Sequence, residues 1–132
     1  MKPLPAIYLA SQSPRRQQLL TQIGVSFELL LPSDPNEAEA LENVLPGEDP
    51  ETYVRRVTRL KLQAALVRLK ERQGPSRPVL CADTTVALRG EIMGKPRHAK
   101  HALAMLTQLS GRTHQVLTAV ALGEGQIGRA HV

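Results

Sequence analysis

Two helix starts in this chain carry the same local signal, a side chain that can cap a helix followed directly by proline. Ser13-Pro14 and Asp49-Pro50 both fit it, because a Ser or Asp oxygen accepts from the unpaired N–H groups of the first turn and proline has no N–H that needs a partner. Short apolar runs lie before and between these helix starts. Strands alternating with helices are therefore expected, the arrangement of α/β and α+β sheet proteins.

Apolar runs and turn residues place the other elements. We predict strands over residues 7–10, 27–31, 79–82 and 113–122, with the third ending at Asp83. Helices are expected over residues 14–23, closed by Gly24, and over 50–70 and 99–109. A hairpin over residues 86–93 would turn at Arg89-Gly90, and residues 32–46 read as an acidic loop. The predicted fold class is α/β (α+β), a mixed twisted sheet flanked by helices in one domain.

Composition limits the partners and the compartment. The only cysteine, Cys81, rules out an internal disulfide framework and fits a reducing cytosol. No apolar run reaches the roughly 18 residues of a membrane span, and no signal peptide is evident, so we expect a cytoplasmic protein. The net charge of +5 favours anionic partners, either nucleic acid or a small phosphorylated substrate. One Phe, two Tyr and no Trp offer little stacking surface for a single-strand reader.

The turn from Ser11 to Arg16 is the first candidate site. A helix N-terminus favours anions, so Arg15 and Arg16 in the first turn oppose the helix dipole. They are either solvated surface arginines or partners of a phosphate bound there. Arg16 lies one turn before Leu19 and Leu20, on the inward side of the helix, which favours the second interpretation.

Lys61 and Asp83 are the next candidates. Lys61 falls within the apolar arc of its helix, so it either extends along the rim to water or points into a phosphate cleft. Asp83, beside Thr84, is expected at a strand end, where it caps a turn or belongs to a ligand site. A carboxylate of the acidic loop could join Asp83 in holding magnesium or manganese.

Other polar residues are weaker candidates. Lys95, in Gly94-Lys95-Pro96, occupies an ordinary turn when taken alone. His98 and His101 are spaced to face each other, but without a third ligand they are expected on a solvated helix face. Cys81 is expected to pack in the core. His114 has a setting that the sequence does not resolve.

Taken in order, these segments resemble the Maf family over residues 6–122. The matching segments are Leu9 to Arg16, Tyr53-Val54 with Arg56 and Lys61, Ala82 to Val86, Gly94-Lys95-Pro96, Ala102 to Leu106, Leu109-Ser110-Gly111 and His114 to Ala119. The resemblance implies a fold like that of Maf and inosine-triphosphatase proteins, with a cleft. It also implies metal-aided hydrolysis of nucleoside triphosphates to monophosphate and pyrophosphate, and the SPRR and ADT forms resemble the branch acting on dTTP and UTP. The branch acting on 7-methyl-GTP usually differs at the positions of Arg15 and Thr84.

The resemblance also implies roles for individual residues. Asp83 would accept the proton from water, and Lys61, Lys95 and Glu42 would complete the catalytic set. A magnesium or manganese ion would be held by Asp83 and Glu42; extra residues after Phe27 keep Glu39 as the other candidate. The residues that would bind the substrate are Ser11, Arg15, Arg16 and Thr84. The resemblance implies a nucleoside triphosphate as the binding partner, without nucleic-acid or membrane binding. A homodimer is compatible with it. The alternative is a Maf-like protein that binds nucleotides or partners without turnover, in septum or cell-division control.

The end of the chain departs from the family pattern. Family members continue with further strands and a segment resembling Ala-Gly-Ala-Tyr-Gly-Ile-Gln-Gly, whereas this sequence loses the pattern after Leu122. We therefore expect residues 1–126 to form an incomplete Maf-like domain and residues 127–132 to be a non-native read-through tail.

The nucleotide sequence tests this expectation. Ile-Gly-Arg-Ala-His-Val followed by a stop is the translation of ATC-GGA-AGA-GCA-CAC-GTC-TGA, which lies within a widely used sequencing adapter. We predict this codon series at residues 127–132, and a different series there would refute the read-through origin.

Overall fold

The computed structural model describes residues 6–34, 36–93, 99–111, 114–124 and 130–131. Helices and strands alternate through the first half of the chain, and strands dominate the second half. The elements are β1 (Ile7–Leu9), α1 (Pro14–Gln22), β2 (Phe27–Leu29), α2 (Asn36–Ala40), α3 (Pro50–Glu71), β3 (Pro78–Leu88), β4 (Glu91–Met93), α4 (Ala99–Leu109), β5 (Gln115–Glu124) and β6 (Ala130–His131).

The strands form one mixed sheet in the order β2-β1-β3-β5-β6, with β4 paired to β3. Strand β1 runs parallel to both β2 and β3. Strand β3 is antiparallel to β4 and β5, and β5 is antiparallel to β6. The predicted α/β class with a mixed sheet is therefore confirmed.

Local capping residues set the helix ends as predicted. The Ser13 side chain accepts from the Arg16 N–H, and the Asp49 side chain accepts from the Thr52 N–H. At the other end of α1, Gly24 has a φ of +78°, which glycine adopts without strain. Its N–H donates to the Thr21 carbonyl while the next N–H donates to Leu20, so a Schellman motif closes the helix.

The prediction that the third strand ends at Asp83 is wrong. Strand β3 continues from Pro78 to Leu88, and Asp83 lies in its middle, opposite Ala119 of β5. The polar residues from Asp83 to Thr85 interrupt the apolar run, but β5 pairs with them throughout. The predicted hairpin is confirmed as the β3–β4 turn, in which Arg89 and Gly90 both have positive φ, as a type I′ turn requires.

The expected loop over residues 32–46 contains a short helix, α2. The Asp34 carboxylate accepts from the Asn36 N–H at its start, and Glu37 and Glu39 lie in its first turn. Acidic side chains are stabilising at that helix end, so residues that suggested a solvated loop instead support a helical turn. Strand β2 is shorter than predicted, ending at Leu29, and β5 extends two residues further, to Glu124.

The core lies between α3 and one face of the sheet. Leu62, Ala65, Leu66 and Leu69 of α3 pack in one cluster that also contains Tyr8, Leu30, Val79, Cys81 and Ala121. On the opposite face of the sheet, the β5 side chains of Val116, Val120 and Leu122 are exposed. The predicted apolar stripe of α1 is also largely exposed, since Leu19 is 50% and Ile23 is 67% accessible. A helical pattern predicts which residues share a face, but not whether another element covers that face.

The end of the chain pairs with β5 through the two residues of β6. Backbone pairing of this kind does not depend on the side chains, so the read-through origin of residues 127–132 stays a prediction. Residues 125–129 and 132 lie outside the described residues. Among the described helices, none is both long and apolar enough to cross a membrane.

Leu62 tests the packing of α3 on the sheet. It is 0% exposed, so Leu62→Ala should lower the free energy of unfolding by about 3 kcal/mol through lost burial and the cavity left behind. Leu19→Ala, at an exposed site of α1, should change it by about 0.5 kcal/mol or less. Urea denaturation measures both, and equal effects would contradict this core.

Candidate active site

The site lies beside a stretch of β3 whose one edge is not paired with another described strand. Strand β5 occupies one edge of β3 over residues 78–87, so β1 and β4 must share the other edge. There β1 pairs with Val79 and Leu80, while β4 pairs with residues 86–88. Within the described ranges, no strand covers the edge between these two. Asp83 and Thr84 lie in this gap, and because side chains alternate along a strand they face opposite sides of the sheet.

Thr84 connects the gap to the start of α1. Arg16 donates from Nη2 to the Thr84 hydroxyl at 3.1 Å and from Nη1 to the Ser11 hydroxyl at 3.2 Å. The same Ser11 oxygen accepts from the Ser13 N–H at 3.2 Å. The hydroxyls of Thr84 and Thr118 lie 2.9 Å apart in a further hydrogen bond. Arg16 therefore reaches the cleft, and its guanidinium joins the turn after β1 to β3.

Asp83 faces α3, where Lys61 contacts both Asp83 and Glu42, a residue distant from it in sequence. The Lys61 ammonium donates to Glu42 Oε1 at 2.7 Å and to Asp83 Oδ1 at 3.3 Å. All three side chains are largely buried, between 16% and 18% exposed. Removing Lys61 would leave two largely buried carboxylates without the cation that they share, which is costly in a site screened from water. Lys61 therefore points into the cleft rather than along its rim.

Of the two candidate glutamates, Glu42 meets Lys61. Glu39 also lines the cleft, one helical turn earlier, but the ion pair with Lys61 is made by Glu42. The structure thus brings together Glu42, Lys61 and Asp83, three of the residues that the resemblance implied for catalysis. The fourth, Lys95, lies in residues 94–98, outside the described residues.

The cleft around these residues has a volume of about 500 Å³. It extends from the N-terminus of α1, at Ser11 to Ser13, past Lys61 and Asp83 to α2. Its cations are Arg16, Lys61 and Arg68, and its carboxylates are Glu37, Glu39, Glu42 and Asp83. Among the described residues, carboxylates thus outnumber cations, although the protein as a whole is basic. A polyanion bound here would need positive charge beyond these three side chains.

The carboxylates of Glu42 and Asp83 are suited to a magnesium or manganese ion. Among the described residues, no group of three or more His, Cys, Asp or Glu side chains is placed to coordinate a metal. Instead, the carboxylates of Glu42 and Asp83 lie close together, because both pair with the Lys61 ammonium. Magnesium suits such a donor set, because it is usually bound through one or two carboxylates plus waters and substrate phosphates. The residues present therefore fit a magnesium or manganese ion shared with a phosphorylated ligand.

The remaining predicted residues lie apart from this centre. Arg15 is exposed and does not line the cleft. His98 lies outside the described residues, as does the side chain of His101. His114 is exposed and lies directly before β5. Cys81 packs in the core as expected, and its burial raises the pKa of the thiol to about 12.

Sequence reasoning missed several contributors. Arg68 lines the far end of the cleft, where its guanidinium donates to the Leu30 carbonyl at 3.0 Å. Its position two helical turns after Lys61 could have indicated this shared face. Thr118 gave a weaker signal, because only the β3–β5 register places it opposite Thr84. Tyr53 and Arg56 belonged to the family match but had no assigned role.

The fold and the cleft define an α/β protein whose site combines a helix N-terminus with a lysine held between two carboxylates. This chain belongs to the Maf-like protein family, whose sequence model matches residues 6–132. A dTTP/UTP pyrophosphatase of Albidiferax ferrireducens is 65% identical over 117 residues, covering 89% of this chain and 58% of the relative. A protein of the same name from Burkholderia orbicola is 63% identical and is matched over 56% of its length. Another, from Ralstonia nicotianae, is 60% identical and is matched over 58% of its length. This chain thus spans little more than half the length of these relatives.

Cys81 offers a test of the core behind the cleft. It is 1% exposed, and burial raises its pKa to about 12, so native protein should react with iodoacetamide at pH 8 far more slowly than protein unfolded in urea. A raised pKa keeps the folded thiol neutral while the unfolded thiol ionises, so this residue should lower stability as the pH rises above about 9. Mass spectrometry of the alkylated chain measures the rate, and equal rates in the two states would contradict the buried placement.

Proposed function

We propose that this chain carries the catalytic part of a nucleoside triphosphate pyrophosphatase that acts on dTTP and UTP. The observation that carries the proposal is the Lys61 ammonium held between Glu42 and Asp83, in a cleft that begins at a helix N-terminus. The names of its relatives support the same chemistry and the same substrates. A cytoplasmic location belongs to the proposal, since nucleoside triphosphates are found there.

The phosphates would lie at the start of α1. The helix N-terminus attracts anions, and Arg16 and Ser11 already present donors at this end of the cleft. Lys95 and, from outside the cleft, Arg15 are proposed to offset part of the remaining phosphate charge. Thr84, bonded to Arg16, would fix the direction of that guanidinium and offer a hydroxyl to the substrate.

Asp83 would orient the attacking water and accept its proton. The water oxygen forms a bond to the α-phosphorus while the bond from that phosphorus to the bridging oxygen of the β-phosphate breaks. The electron pair leaves with pyrophosphate, and the nucleoside monophosphate remains. Lys61 would fix both carboxylates and offset negative charge in the transition state, because phosphoryl chemistry depends mainly on positioning and charge neutralisation.

A divalent cation is part of this proposal because of the charges in the cleft. The carboxylates outnumber the cations among the described lining residues, so these residues by themselves do not neutralise a triphosphate. Glu42 and Asp83 are the residues that would hold magnesium or manganese. When bound, such an ion supplies charge neutralisation and lowers the pKa of a coordinated water.

Binding without turnover is the second candidate function. The helix N-terminus with Ser11 and Arg16 at one end of the cleft favours it, because such a site can bind a phosphate without the groups that catalysis needs. A nucleic-acid partner is less compatible with the site, since the lining is rich in carboxylates.

Pyrophosphate release tests the proposal. We expect release from dTTP and UTP in preference to CTP and 7-methyl-GTP, with magnesium or manganese, and Asp83→Asn should lower turnover by about 100-fold or more at unchanged folding. Glu71→Gln removes an exposed carboxylate of α3 and should leave turnover unchanged.

Two versions of the protein should be assayed, this chain and one completed from the genomic locus. Turnover by either supports the enzyme, and turnover by the completed version alone assigns an essential role to the added segment. A folded completed version that is inert on every nucleotide would leave binding without turnover as the function. Unchanged turnover in Asp83→Asn would remove Asp83 from the mechanism.

A further inference from the structure

Glu42 lies on an irregular loop, although its carboxylate must meet Lys61. Residues 42–49, between α2 and α3, form neither helix nor strand. Such a segment is not held by regular backbone hydrogen bonds, so its position depends on individual contacts. The side chains that make those contacts determine where Glu42 lies.

The first turns of α3 hold this loop at its backbone carbonyls. The Tyr53 hydroxyl donates to the carbonyl of Glu42 itself at 2.7 Å. Arg56 donates from Nη2 to the Asn43 carbonyl at 2.6 Å. Both contacts fix the main chain at and beside Glu42, and neither involves the Glu42 carboxylate.

Glu48 closes the contact network from within the loop. Its carboxylate accepts two hydrogen bonds from Arg56, at 2.7 and 2.9 Å, a bidentate geometry that is strong and directional. Oε1 also accepts from the Leu45 N–H at 3.2 Å. The side chain of Glu48 is only 5% exposed, and its hydrogen bond with Arg56 lowers its pKa below the usual range.

One rigid element carries both the anchors and the lysine. Tyr53, Arg56 and Lys61 all belong to α3, and the rise of a helix separates Tyr53 from Lys61 by about 12 Å along the axis. The helix therefore fixes the distance between the point that holds the Glu42 backbone and the ammonium that holds its carboxylate. Burial raises the pKa of Tyr53, so its hydroxyl remains a donor throughout the neutral range.

We propose that Tyr53, Arg56 and Glu48 form a positioning clamp that holds the loop of residues 42–48 so that the Glu42 carboxylate stays at Lys61 in the reacting site. The relevance of the clamp to turnover rests on the proposed function. None of the three side chains lines the cleft, so they act through Glu42 and not on the substrate. The arrangement assigns a role to two residues of the family match that had none.

The chain contains a matched control for Tyr53. Tyr8 is also buried, its hydroxyl donates to a backbone carbonyl, that of Pro75, at 3.0 Å, and its ring lies under a guanidinium. Tyr53 has the same features, with Arg56 at 5.8 Å from its ring centre. Tyr8 does not line the cleft, so comparing the two Tyr→Phe variants separates loss of a buried hydrogen bond from loss of the clamp.

Hydrogen–deuterium exchange on the full chain tests the clamp directly. Tyr53→Phe and Arg56→Lys should each raise amide exchange in residues 42–48, whereas Tyr8→Phe and Arg55→Lys should not. Arg55 is the matched control for Arg56, because it lies on the exposed side of the same turn and pairs only with Glu51 among the described residues.

Steady-state kinetics tests the consequence. Both clamp variants should lower kcat by about 10-fold, the usual effect of losing a residue that orients a metal or catalytic ligand, with KM changed less than about twofold. Tyr8→Phe should leave kcat unchanged. Unaltered exchange in both clamp variants would overturn the clamp, as would an unaltered kcat. The kinetic comparison uses whichever version of the protein turns over. If neither version releases pyrophosphate, that result counts against the proposed function alone, since exchange still decides the clamp.

Discussion

The ammonium of Lys61 is the contact on which the organisation of the site depends. It joins Glu42, from the loop before α3, to Asp83, in the middle of β3, so three segments distant in sequence must meet at one point. A lysine on the inner face of a helix requires such partners, because an unpaired charge away from water is strongly unfavourable. The core of α3 against β3 provides the rigid frame that holds the ammonium beside both carboxylates.

The gap in β3 complements this contact. A strand with both edges fully paired would leave no room for a ligand beside Asp83. On one edge of β3, however, β1 pairs only with residues before Asp83 and β4 pairs only with residues after it. Arg16 reaches into the gap from the start of α1 and bonds Thr84. The site therefore combines backbone donors and a guanidinium on one side with carboxylates on the other. That distribution suits a phosphate chain bound together with a divalent cation.

Much of the fold could be read from local signals. The Ser13-Pro14 and Asp49-Pro50 helix starts, the Gly24 helix end and the Arg89-Gly90 turn all lie where the sequence predicted, because capping and turn formation depend on neighbouring residues alone. The extent of β3 was misjudged since its polar centre is stabilised by pairing with β5, a partner about 35 residues away along the chain. The exposure of Leu19 likewise depends on which elements cover α1.

For the site, the sequence by itself determined the chemical groups: a lysine on the inner face of a helix, an arginine in a first turn, and an aspartate at the end of an apolar run. Only the tertiary structure decided which of them meet. It placed Glu42 rather than Glu39 at Lys61, left Arg15 outside the cleft, and fastened the Glu42 loop to Tyr53 and Arg56. Contacts between segments distant in sequence depend on packing and strand register, which local sequence patterns do not encode.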